Sequence, residues 1–186
     1  IGYEQSSAGT KSLCAGVTAG QTYYLIIDSW ASPNCNPYNI TISAPQGALP
    51  GSTCVTAVTI PSLPFVANGE TTHCRVNDYT NASTGSCATL YESGEDKVYA
   101  YTTTAAECIG ITFTGASSNS IGFQVYNGCP GSVGTTCIGN GGGATNGTLS
   151  GTVTLPMAGT YYIVVDNQAT PNFVNYNISI ASFGAG

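Results

Sequence analysis

Positive charge is what this sequence has least of. Among 186 residues only Lys11, Arg75 and Lys97 are basic, against nine acidic residues and a formal net charge of −6. Three scattered cations cannot build the positive stripe that a phosphate backbone requires, so nucleic acid is excluded as a partner. Histidine is as scarce. His73 is the one imidazole, and its neighbour Cys74 would point to the opposite face of a strand and is expected to be oxidised. No Ser-His-Asp or Cys-His set can form around it, and no catalytic residues are expected. Long apolar runs are missing too. The longest, Tyr23 to Ile27, is strand-sized, well short of the roughly 18 residues a membrane helix needs. No CxxC pair occurs among the eight cysteines, which therefore read as disulfides rather than zinc or redox motifs and place the chain in an oxidising, extracellular compartment. The chain opens on Ile1 with neither an initiator Met nor an apolar leader, the pattern expected of a cut or processed chain.

What is present is a repeat. Tyr23-Tyr24-Leu25-Ile26-Ile27-Asp28 reads against Tyr161-Tyr162-Ile163-Val164-Val165-Asp166 at an offset of 138 residues. The match runs without a gap through Ala31/Ala169, Pro33/Pro171, Asn34/Asn172, Tyr38/Tyr176, Asn39/Asn177, Ile40/Ile178 and Ile42/Ile180. The expected organisation is one whole repeat at 49–186, preceded at 1–48 by the C-terminal part of another copy. The Pro/Gly/Ser stretch Ala44 to Thr53 reads as the linker.

Within 49–186, β-rich runs separated by turn-forming clusters predict strands at Val55 to Ile60, Lys97 to Thr102, Ile109 to Thr114, Ile121 to Tyr126, Leu149 to Leu155, Tyr161 to Val165 and Tyr176 to Ile180. Alternation in Ile109-x-Ile111-x-Phe113 and Val153-x-Leu155-x-Met157 sets one face on a core and a Thr/Ser-rich face in water, with no helical period. The tail offers two further strands, Thr22 to Ile27 and Tyr38 to Ile42. The expected fold is an all-β sandwich with antiparallel sheets. The glycine tract Gly139 to Gly147 reads as a mobile loop. Expected disulfides are Cys129 with Cys137 around a turn-rich loop, Cys74 with Cys87, Cys14 with Cys35 and Cys54 with Cys108.

The acidic residues cluster only in the turn Glu92-Ser93-Gly94-Glu95-Asp96. No cofactor is expected, calcium being the one ion for which Glu92, Glu95, Asp96 and Asp78 would offer oxygen ligands. Twelve tyrosines supply rings for packing or contact. Tyr99 and Tyr101 share a strand face, and Trp30, replaced by Gln168 in the second copy, is the candidate for a copy-specific contact. Of the four Asn-x-Ser/Thr sequons, those at Asn39 and Asn177 fall in expected strands, which leaves Asn81 and Asn146 as candidate glycosylation sites.

Ala158-Gly159-Thr160 leading into Tyr161 to Asp166, followed by Tyr176-Asn177-Ile178-Ser179-Ile180, resembles the closing strands of bacterial pre-peptidase C-terminal domains. Cys54-x-x-Ala57-x-x-Ile60, Gly94-Glu95-Asp96-Lys97-Val98-Tyr99 and Val125-Tyr126-Asn127-Gly128-Cys129 are similar to the same family's order of motifs. The resemblance implies a jelly-roll β-sandwich attached to secreted peptidases, exported enzymes or large surface proteins, with binding or secretion-related roles and calcium or a polymer held by some members. The expected function is therefore a non-catalytic extracellular structural or adhesive repeat of a surface fibre, filament or adhesin, with a second copy as partner. An accessory glycan- or polymer-binding domain of a secreted hydrolase is the alternative.

Overall fold

A computed structural model describes residues 13–15, 17–29, 35, 37–43, 48–80, 87, 90–168 and 172–184. The chain divides into two units, 1–47 and 48–186. Trp30 and Asn81 lie outside the described residues.

The larger unit is an all-β sandwich with nine strands among its described residues: β1 (Val58–Ile60), β2 (Phe65–Thr71), β3 (Lys97–Thr103), β4 (Glu107–Thr114), β5 (Ile121–Tyr126), β6 (Cys137–Gly142), β7 (Leu149–Leu155), β8 (Gly159–Asn167) and β9 (Asn175–Ser182). One sheet runs β1-β3-β8-β5-β6 and the other β2-β9-β4-β7. All pairings are antiparallel except the short edge pair β1 and β3, which is parallel. β8 and β9, the strands repeated in the tail, are each internal to a sheet: β8 lies between β3 and β5, and β9 between β2 and β4.

The alternation expected of β4 holds, with Ile109, Ile111 and Phe113 buried between the sheets. In β7 it stops at Leu155, because Met157 lies beyond the strand and is exposed. The outer faces differ. Across β4, β7 and β9 the outer face carries Thr112, Ser150, Thr152, Thr154 and Ser179, with Thr112 and Ser150 hydrogen bonded at 3.1 Å. The outer face of the other sheet is covered, and a second cluster of Tyr79, Cys87, Val98, Tyr126 and Val164 packs there. This is why every residue of β5 is buried.

Several expectations are corrected. Val55 to Thr56 belongs to a 3-10 turn, Cys54–Thr56, so the first strand begins only at Val58. β2 went unrecognised because Asn68 and Gly69 interrupt its β-rich residues. The first part of the glycine tract is β6 rather than a mobile loop, since its missing side chains are what let neighbours close on it. A Cβ at Gly142 would enter the Tyr91 ring, and one at Gly141 would lie 2.6 Å from Phe123 Cε1.

The disulfides include Cys54–Cys129 and Cys87–Cys137, with Cα atoms 5.8 and 5.3 Å apart, and Cys14 and Cys74 are disulfide-bonded as well. The expected pairs Cys129 with Cys137, Cys74 with Cys87 and Cys54 with Cys108 do not form, because the fold brings the opening 3-10 turn to the loop after β5 and Cys87 to the start of β6. Cys108 is a free thiol on the outer face of β4, opposite Thr154, and Cys35 is free and exposed, so Cys14 does not pair with it. Bridges of this kind persist in oxidising compartments.

Among the described residues of 1–47 no strand forms, so the two strands expected at Thr22 to Ile27 and Tyr38 to Ile42 are absent. A ribbon of two strands has too few ladder partners to hold itself in water. No helix among the described residues is long and apolar enough to cross a membrane.

Candidate functional site

The register of β3 on β8 pairs Lys97 with Val165, which sets the preceding residue, Asp96, against the following one, Asp166. Both are fully buried, and beside them Glu92 and Asn167 are buried as well. The loop carrying Glu92 to Asp96 is sewn to the chain after β8 by Ser93 N–H to Asn167 O at 3.1 Å and Glu95 N–H to Asn172 O at 2.6 Å. Gly94 has to be glycine here, since a Cβ would overlap the Asn167 amide and lie 2.8 Å from Asn172 O.

One oxygen of each carboxylate is satisfied by backbone. Asp96 Oδ2 accepts N–H groups from Asp78 at 2.6 Å and Tyr79 at 2.8 Å. Asp166 Oδ1 accepts those of Gly94 at 3.0 Å and Asn167 at 2.5 Å. The other oxygens, Asp96 Oδ1 and Asp166 Oδ2, are buried with no backbone donor, and the two side chains are placed to share a proton. Burial, and then the charge of Asp166, push Asp96 well above the usual carboxylate range. Burial also raises Asp166, and the Glu92 charge adds to it.

Of the described cations, neither pairs with Asp96 or Asp166: Lys97 is committed to Glu70, while Arg75 donates to Thr71 O at 2.6 Å and Pro50 O at 2.9 Å. An isolated buried charge is costly, and a proton shared between the two aspartates lowers that cost. Glu92 does not bring an oxygen close enough to both aspartates for the three to enclose a metal ion, so the expected calcium ligands do not converge here.

Of the four expected ligands, Asp96 and Glu92 are buried in this region. Asp78 contributes its backbone N–H, and its side chain is not among the buried groups. Glu95 turns the other way, its Oε2 lying 3.6 Å from His73 Nδ1, and burial pushes it up to about 7. His73 stacks on Phe173 with centroids 4.2 Å apart. Asp166 and Asn167 were missed, although an acid closing the apolar run in both copies, Asp28 and Asp166, was the available signal.

Tyr99 is a core residue rather than a contact residue. Its hydroxyl donates to Glu70 Oε2 at 2.8 Å and lies 3.0 Å from that of Tyr176. Tyr101 is nearly as buried, but its hydroxyl reaches the floor of an open cleft of about 510 Å³ between the sheet ends, lined in part by Pro61, Leu63, Glu107 and Ser182. There Glu107 accepts from Tyr101 Oη and Ser182 Oγ, both at 2.8 Å. Asn146 is exposed in a tight turn, with φ of 52°. Asn39 is exposed outside any strand, and Asn177, within β9, accepts from Gly69 N–H at 2.9 Å.

No protein-family model and no curated protein sequence matches the chain. Among solved structures, the sandwich is similar to the pre-peptidase C-terminal domain of a collagenase from Bacillus anthracis, at 14% identity and a TM-score of 0.43, over 67% of this chain and 93% of that one. It is similar to PliG, a periplasmic inhibitor of g-type lysozyme from Aeromonas hydrophila, at 17% identity and a TM-score of 0.43, over 68% and 95%. A CBM36-1 domain of a multidomain xylanase from the hindgut metagenome of Trinervitermes trinervoides matches at 15% identity and a TM-score of 0.29, over 52% and 77%. Likenesses this distant carry no functional argument.

Proposed function

We propose that the chain is a non-catalytic extracellular structural repeat, part of a surface fibre, filament or adhesin, whose copies join by strand complementation. One observation carries the reading: the same sequence is buried in one copy and bare in the other. Ile163 in β8 is 0% exposed and its counterpart Leu25 is 58% exposed. Ile180 in β9 is 1% exposed and its counterpart Ile42 is 81% exposed. Leaving so many large apolar side chains in water forgoes about 1.5–3 kcal/mol each, which burial against strands from elsewhere would recover. Sedimentation velocity and electron microscopy of the purified chain test this. Concentration-dependent association into extended particles is expected, and a strictly monomeric folded chain would overturn it.

The cleft beside Tyr101 and Glu107 supports the alternative, an accessory glycan-binding domain, because it is concave and combines an apolar wall with an accessible carboxylate. Retention on a polysaccharide matrix that is lost in Glu107→Ala would favour that reading over assembly.

A further inference from the structure

We infer that residues 90–96 form a strap across the outer face of the β1-β3-β8-β5-β6 sheet, held shut by the proton that Asp96 and Asp166 share and released when that proton is lost.

The path of the chain shows the strap. At the β5–β6 side of the sheet the Tyr91 side chain fills the space that a Cβ at Gly122, Gly142 or Gly143 would need, and Gln124 Nε2 of β5 donates to Tyr91 O at 3.2 Å. The chain then crosses the end of β8. Ser93 N–H donates to Asn167 O at 3.1 Å and Gly94 N–H to Asp166 Oδ1 at 3.0 Å, before Asp96 leads into β3. Both ends are anchored: Cys87, just upstream, is bridged to Cys137 at the start of β6, and downstream β3 is paired on both sides. Between these anchors 90–96 is neither strand nor helix.

The two carboxyls stand where the strap closes. Asp166 Oδ1 accepts from the strap's own Gly94, and Asp96 Oδ2 accepts from Asp78 and Tyr79 N–H. Without the shared proton, two charges would face each other at sites that are fully buried. β3 and β8 are both internal strands and cannot part without breaking the sheet. The strap can lift, and water entering beneath it would solvate the second charge.

The surrounding groups set the direction. The strap brings Glu92, whose charge acts on Asp166, and Glu95, which faces His73; the preceding loop brings Asp78 and the phenol of Tyr79, and β8 that of Tyr162. Lys97 of β3 pairs with Glu70, and Arg75 donates to Thr71 O and Pro50 O, so neither replaces the proton. Burial raises both aspartates. The closed strap therefore binds more protons than the open one, and closure is favoured at low pH and lost as pH rises.

Hydrogen exchange of the full chain, followed by NMR from about pH 6 to about pH 9.5 and corrected for the intrinsic rate, tests this. Protection of the Ser93, Gly94 and Glu95 amides should fall at least ~10-fold relative to the amides of Val98 to Tyr101, which should keep theirs. In Asp166→Asn the amide donates in place of the shared proton, so the strap should stay protected throughout. Asp96→Asn makes the same replacement from the other side and should behave alike. Glu95→Gln should keep the parent's pH dependence. The inference is overturned if strap protection is independent of pH, if it falls together with that of β3, if both Asn variants lose it as the parent does, or if Glu95→Gln abolishes the effect.

Discussion

Asp96 and Asp166 are two residues whose ordinary chemistry is inverted by where they stand. Each keeps one oxygen on backbone donors and buries the other where the two side chains can share a proton. Asp166→Asn removes one of the repelling charges and keeps an acceptor for the Gly94 and Asn167 N–H groups. The variant should therefore melt above the parent at neutral pH, which calorimetry would measure. Glu95 gives a separate signature. Its carboxyl is raised from 4.5 to about 7, so between those values the folded chain holds more protons than the unfolded one. Stability from this group is complete below pH 4.5 and is lost as pH rises to about 7. Denaturant titrations should show Glu95→Gln flattening that decline.

At the scale of the element, β6 shows how a sequence with little strand propensity becomes a strand. Its glycines make room for Tyr91 on one side and Phe123 on the other, while pairing to β5 supplies the ladder. Gly142→Ala drives a methyl group into the Tyr91 ring and should cost about 1–3 kcal/mol in urea unfolding. Asn140→Ala, on the same strand and exposed, should stay within about 0.5 kcal/mol. The strands rich in β-branched and aromatic residues were legible in the sequence because their alternation reports a two-sided environment. β2 and β6 were not, since their stability comes from neighbours rather than from their own residues.

At the largest scale, the sandwich of 48–186 is tied by Cys54–Cys129, whose partners are separated by 75 residues. Replacing both with serine should lower stability by about 4 kcal/mol, read from the shift in denaturation midpoint, because the loop freed in the unfolded chain is long. Cys129–Cys137, suggested by nearness along the chain, fails because nearness in sequence does not aim two side chains at each other.

The sequence by itself determined the all-β class, most of the strands and the scarcity of positive charge. Those follow from periodicity and composition, which are properties of the chain read in order. Only the tertiary structure decided the disulfide partners, the burial of Tyr99, the outward turn of Glu95 and the meeting of Asp96 with Asp166. The last of these depends on a register between β3 and β8, strands some sixty residues apart, and pairing at that distance is fixed by the packing of the whole core rather than by either strand alone.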